Sequence, residues 1–207
     1  MTGQRVPARQ VRAWYDAHTI TLYQAYSAEI TEHALTAGTF VAPFKLDRMT
    51  WIKPSFLWMM YRSGWATKPG QERVLAIAIS RDGFEWALAH SCLSHDEPGT
   101  YASRAAWAEQ QRGCPVRVQG DPERSLRLSP LAHRTIQIGL SGEAARRHVS
   151  QWILQLRDVT SLALEVGALV ARGGLAMAQA MLRAERPYQL PARLPRQIGI
   201  THNDQQK

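Results

Sequence analysis

Six consecutive apolar residues, Val74 to Ile79 (VLAIAI), constrain the fold of this 207-residue chain more than any other stretch. The run has the length of a strand, and its unbroken apolar character reads as a central strand buried on both faces. Such a strand needs neighbours in a sheet and further layers to cover it. Thr19 to Ala25 (TITLYQA) alternates apolar residues with β-branched and aromatic ones and reads as a first strand. Ser27 then stands as an N-cap, and AEITEHALTAG places Ile30, Ala34 and Leu35 on one helical face with Gly38 as a stop.

Met49 to Lys53 reads as a short strand leading into a helix. Pro54 and Ser55 open that helix, because proline suits a first turn where its missing N–H is not needed. Phe56, Met59 and Met60 share its inner face, and Gly64 lies near its end. RDGFEWALAHS returns to helical spacing, with Phe84, Leu88 and Trp86 as anchors. Val116 to Gln119 is a strand, GDPERS a turn, and Arg134 to Leu140 another strand.

The clearest helix in the sequence is GEAARRHVSQWILQLRD, whose Val149, Trp152, Ile153 and Leu156 line one face. Thr160 or Ser161 caps the next helix, and Gly173 and Gly174 interrupt it before LAMAQAMLRAE. Pro187, Pro191 and Pro195 then suggest an extended strap. The irregular alternation gives an α+β class: one domain over residues 1–207, a small mostly antiparallel or mixed sheet, flanking helices and a helical C-terminal part. Residues 1–10 and 197–207 read as flexible termini.

Composition narrows the function classes. The chain is 45% hydrophobic and 20% charged, and no apolar run approaches the roughly 20 residues of a membrane span. MTGQRVPARQVR has no apolar stretch to serve as a signal peptide, so the expectation is a cytoplasmic protein with no membrane partner. Cys92 and Cys114 are too few for a disulfide framework, and His90, Cys92 and His95 (HxCxxH) match no standard zinc spacing, so no metal is expected. Twenty-five Lys+Arg stand against 17 Asp+Glu, mostly as arginine, which grips phosphate bidentately. An anionic partner follows, either a nucleotide ligand or a nucleic acid. The absence of GxSxG, Walker, HExxH and GxGxxG patterns removes the common hydrolase, P-loop, zincin and Rossmann readings.

The segment Thr50 to Trp65 (TWIKPSFLWMMYRSGW) is the strongest candidate site. If Phe56, Met59 and Met60 face the core, then Trp58, Tyr61 and Arg62 lie partly elsewhere and present rings beside cations, which suits a flat anionic ligand. Lys53 and the helix start at Ser55 would hold a phosphate or carboxylate. A plain core helix with an ordinary Ser55 cap accounts for the same residues without a ligand.

RQVRAWYD, TITLYQAY, MTWIKPSFLWMMYRSGW, KPGQERVLAI, DPER, RTIQIGL and ERPYQLP together resemble domain-of-unknown-function family 4291 over nearly the whole chain. More distantly, the order of elements resembles the ADP-ribosyltransferase fold, which implies a split sheet and an NAD cofactor. That resemblance implies catalytic roles for Gln137, Ser55 and Tyr61, and NAD binding by Gln24, Tyr26, Lys53, Trp58 and Arg62. In such enzymes the late strand carries a glutamate, where this chain has Gln137, which can accept a ribose hydroxyl's hydrogen bond but supplies no negative charge. Three outcomes stay open: an enzyme that borrows another acid such as Glu143 or Glu72, one whose acceptor is already nucleophilic, or a module that binds NAD without chemistry. The expected activity is transfer of ADP-ribose to a nucleic acid or nucleotide. The alternative is a non-enzymatic module for single-stranded RNA or DNA, with arginines on phosphate and rings on bases.

Overall fold

The computed structural model describes residues 10–97, 99–192 and 194. The terminal segments expected to be flexible lie outside them, apart from Gln10. In chain order the elements are β1 (Arg12–Ala13), β2 (Thr19–Tyr26), α1 (Ala28–Ala37), β3 (Thr50–Ile52), α2 (Phe56–Ser63), β4 (Arg73–Ser80), α3 (Arg81–Ala89) and β5 (Ser91–Leu93). There follow α4 (Arg104–Gly113), β6 (Val116–Arg124), β7 (Pro130–Leu140), α5 (Gly142–Arg147), a π-helical turn (His148–Trp152), β8 (Ile153–Asp158), α6 (Thr160–Ala171), α7 (Leu175–Met181) and β9 (Arg186–Pro187). The class is α+β, with helices around mixed, mainly antiparallel sheets. Among the described residues no helix is long and apolar enough to cross a membrane.

Three strands form one sheet in the order β2-β4-β8, and four form another in the order β3-β7-β6-β5. The two meet where Tyr23 and Lys53 exchange both backbone hydrogen bonds, at 2.7 and 3.2 Å. This single bridge is the seam of a split sheet, and it sets Lys53 beside Tyr23 and Gln24. On the inner face, Ile20 and Leu22 of β2 and Ile77 and Ile79 of β4 pack with Phe84 and Leu88 of α3 and Ile138 of β7. A second cluster holds α2 against β2 through Phe56, Met59 and Met60, all buried. Each such side chain contributes on the order of 2 kcal/mol by leaving water.

Several local expectations hold. Ser27 and Ser55 cap their helices by accepting the backbone N–H of Ile30 and Trp58, and Gly38 and Gly64 end them in the left-handed conformation. β9 pairs with β1, and the start of the strap, whose Pro195 lies outside the described residues, is pinned where Arg81 Nε donates to Tyr188 Oη and Tyr188 Oη donates to Glu85.

Four expectations are corrected. Residues 142–158 are not one helix: α5 ends at Arg147, and Ile153–Asp158 form the third strand of the first sheet, pairing Leu156 with Ile77. Apolar residues at helical spacing were outweighed by the free edge of β4, whose backbone groups need partners in the interior. GDPERS is not a turn but the end of β6, with Pro122 opposite Arg134 and a bulge before Arg124. β5 reaches only as far as Val118, so the outer edge of β6 is free at Pro122 and a residue without an N–H is tolerated. Neither Thr160 nor Ser161 caps α6; Asp158 Oδ1 accepts the N–H of Thr160, whose own hydroxyl accepts the N–H of Val74. Finally, β4 is not covered equally on both faces. Ala76 and Ala78 are only partly buried and open onto a cavity, while Leu75, Ile77 and Ile79 are fully buried.

The junction of α3 with the π-helical turn is closely packed. A Cβ on Gly83 would lie 2.4 Å from Cγ of Trp152 and 2.9 Å from the Ser80 hydroxyl that caps α3. Trp152 is buried and cannot swing away. Gly83→Ala is therefore expected to destabilise the fold by about 2 kcal/mol despite its better helix propensity, measured as a lower urea midpoint. An unchanged midpoint would mean that Trp152 repacks freely.

Candidate functional site

Two cavities flank the seam, one on each face of β2. The smaller, about 610 Å³, lies where Gln24, Lys53, Gln137 and Gln119 line up from β2, the residue after β3, β7 and β6. Lys53 is 1% exposed, and its ammonium meets Asp121 Oδ2 at 2.9 Å while lying 3.7 Å above the Trp58 ring. Burial pulls its pKa down to about 8, against the opposing pull of Asp121. Gln119 Nε2 donates to the other Asp121 oxygen at 3.0 Å, so the carboxylate is held from two sides.

Gln24 is buried, and its Nε2 stands 2.8 Å from both Tyr26 Oη and Thr50 Oγ1 and 3.0 Å from the Trp51 carbonyl. Its Oε1 has no hydrogen-bond partner. A buried acceptor left open in a cleft wall is a place for a ligand's N–H or O–H. Exposed Lys45, Arg48 and Arg62 stand around the cleft's opening.

Six of the eight site residues expected from the sequence thus line one cleft: Gln24, Tyr26, Lys53, Trp58, Arg62 and Gln137. Ser55 does not. It turns to the larger cavity, about 890 Å³, donating its hydroxyl to Glu123 Oε1 at 2.7 Å. Tyr61 lines neither cavity; it is 43% exposed with the Arg124 guanidinium 3.5 Å above its ring. The expectation that Trp58 is turned outward is corrected: it is 9% exposed, because Lys53 covers one face and the ring forms cleft wall.

Asp121 and Glu123 were assigned to a turn from the sequence, yet they are the partners of the two polar residues that open α2. Lys53 pairs with Asp121, and Ser55 pairs with Glu123. The two tripeptides, Lys-Pro-Ser and Asp-Pro-Glu, have the same spacing and both carry a central proline. That matched spacing is the signal in the sequence for this two-rung ladder. A third carboxyl, Glu185 from the strap, accepts the N–H of Phe56 at 2.7 Å at the start of α2. Enclosure of that carboxyl, and then the charge of Glu123, push its pKa up to about 8.

Glu72 and Glu143 do not enter the cleft. Glu72 accepts the Gly70 N–H in an exposed turn, and Glu143 pairs with Arg147 on α5. Among the described residues no group of three or more His, Cys, Asp or Glu is placed to hold a metal ion.

A family model described as domain of unknown function (DUF4291) matches residues 10–188, which include β1 to β9, α1 to α7 and the residues lining both cavities. The chain belongs to the DUF4291 family. No curated protein matches it. The match covers Lys53, Ser55, Asp121, Glu123 and Glu185 alike, so the ladder and its third carboxyl lie inside the DUF4291 domain.

Proposed function

We propose that the 610 Å³ cleft of this DUF4291 protein binds NAD, and that the protein is ADP-ribosyltransferase-like, acting on a nucleic acid or nucleotide acceptor. The observation that carries the reading is the convergence of Gln24, Lys53 and Gln137 from three neighbouring strands on one cleft. The volume falls within the range of ligand pockets, about 300–1,000 Å³. Gln24 Oε1 fits the N–H of a carboxamide or a ribose hydroxyl. Lys53, with Arg48 and Arg62 outside it, meets pyrophosphate charge, and Trp58 and Tyr26 offer ring surface.

NAD held there would supply an activated glycosidic bond, with nicotinamide as the leaving group and the acceptor's nucleophile forming the new bond to the ribose. Gln137 accepts a hydrogen bond from a ribose hydroxyl. The negative charge that Gln137 lacks comes from Asp121, one strand away and already oriented by Lys53 and Gln119. This replaces Glu72 and Glu143 as the borrowed acid, since neither lines the cleft.

Isothermal calorimetry with NAD and mass analysis for free nicotinamide test the reading. Binding is expected, with affinity falling as pH rises through about 8 and Lys53 loses its charge. Asp121→Asn is expected to slow nicotinamide release about a hundredfold beyond any change in affinity. No binding at millimolar NAD sinks the proposal.

One observation favours the non-enzymatic nucleic-acid reading. Tyr61, 43% exposed and next to Arg62 in the chain, and Trp51, 36% exposed, present ring surface of the kind that stacks on bases. Affinity for single-stranded RNA or DNA should then drop steeply with salt, and a salt-insensitive complex removes this reading.

A further inference from the structure

The floor of the 890 Å³ cavity is the face of β2 and β4 opposite the core, formed by Thr19, Thr21, Ala76 and Ala78. A sheet face left to water carries long polar side chains, and one packed under a helix carries large apolar ones. The patch of β2 and β4 at Thr19, Thr21, Ala76 and Ala78 carries neither, while β8 sets Gln155 and Arg157 opposite Ala78 and Ala76 at its side. β4 reads Leu75-Ala76-Ile77-Ala78-Ile79, with the large residues buried in the core and both alanines on the cavity floor. Small side chains beneath enclosed space leave room for something to lie flat on the strands.

The walls indicate what that is. Trp14, Tyr23 and Phe56 bring aromatic surface, and Thr21, Gln155 and Gln179 bring hydrogen-bonding groups of the kind a heteroaromatic edge uses and an acyl chain does not. Arg12, Arg157 and Arg183 come from three separate elements, the first strand, β8 and the segment after α7. The Arg183 guanidinium stands 4.3 Å from the centre of the Trp14 ring, while Arg157 is exposed and its side chain makes no hydrogen bond or ion pair among the described residues. At the inner end Glu185, protonated through neutral pH, can donate a hydrogen bond.

We propose that this cavity is a second ligand site, separate from the Lys53 cleft, and that it takes a nucleotide-class anion: a heteroaromatic ring over Ala76 and Ala78 with its phosphate toward the arginines. It holds whether or not the Lys53 cleft binds NAD.

The probe is the fluorescent aromatic sulfonate 8-anilinonaphthalene-1-sulfonate, titrated into the full chain and displaced in turn by AMP and by decanoate. One site is expected, displaced by AMP and not by decanoate. Ala78→Leu, which fills the floor, should weaken the dye about tenfold or more, Arg157→Gln a few-fold, and Lys53→Met not at all. Should Ala78→Leu fail to fold, methyl NMR of the unmodified protein serves instead, and the Ala76 and Ala78 methyl signals must shift when AMP is added. Displacement by decanoate alone overturns the nucleotide assignment, and unaltered dye binding in folded Ala78→Leu overturns the site. NAD titrations separate the two readings: loss in Ala78→Leu but not in Lys53→Met refutes the cleft and supports this cavity, and the reverse pattern leaves both intact.

Discussion

Lys53→Met is expected to lower stability by about 3 kcal/mol and abolish NAD binding, whereas Lys53→Met combined with Asp121→Leu recovers most of the stability and none of the binding. The first effect follows from burial. Lys53 is closed off from water and Asp121 is only 15% exposed, so removing the cation leaves a carboxylate with Gln119 as its one remaining side-chain partner. Breaking a buried pair from one side costs about 3–5 kcal/mol, and the residual exposure of Asp121 places this case at the low end. Replacing both partners with apolar groups removes the stranded charge, and such swaps are often neutral. Urea unfolding of the four proteins in the cycle gives the coupling, and calorimetry gives the binding. If Lys53→Met alone kept full stability, the pair would be solvated and the cleft would lack its fixed charge.

The seam explains why an ion pair sits there. Where β2 and β3 diverge after a single bridge, backbone continuity between the sheets stops, and side chains have to span the gap. The ladder does this: Lys53 and Ser55 leave the end of β3 and the start of α2, and Asp121 and Glu123 rise from β6 to meet them. A split sheet opens a cleft on each face of its seam, so the same geometry that creates the two cavities requires polar groups between them to be paired.

How far this was legible depended on whether the signal was local. The strand read at 19–25, which runs one residue further to Tyr26, the capped helix after Ser27 and the strand-to-helix passage at Pro54 rest on caps, prolines and short periodicities, and each lies where the sequence indicates. Ile153–Asp158 could not be read that way, because apolar residues at 153 and 156 satisfy helical spacing and the strand exists only through its partner β4. The same holds for GDPERS. Asp, Pro and Gly are turn residues in isolation, and only pairing with β7 extends the strand through them. Trp58 illustrates a third limit: helical spacing placed it away from the core, but the position faces a cleft wall and a lysine rather than water. Val74–Ile79 reads as one unbroken apolar run in the sequence, and the meaning of its alternating alanines comes only from the cavity above them.

Between about pH 6.5 and pH 4, buried His148 weakens the fold on acidification, against the opposing contribution of Glu185, whose raised pKa stabilises the fold as pH falls from about 8 towards 4.5. His148 lies in the π-helical turn, fully buried, with its ring 6.2 Å from Phe40 and 6.3 Å from Trp152 and neither ring nitrogen hydrogen-bonded. Burial alone pulls its pKa from 6.5 down to about 4. In that window the unfolded chain binds a proton at position 148 that the native state refuses, so the contribution of His148 to stability rises with pH and is lost as pH falls from 6.5 towards 4. The loss reaches about 3 kcal/mol at the acid end, since each unit corresponds to about 1.4 kcal/mol. His148→Leu removes both the proton site and two unpartnered nitrogens, so it should be at least as stable as the parent at pH 7, and its advantage should grow as pH falls below 6.5. Urea unfolding at intervals across the window measures both slopes. Parallel curves would show that water reaches the imidazole and that the π-helical turn is open, whereas a difference of one proton places His148 neutral in the core beside Phe40 and Trp152.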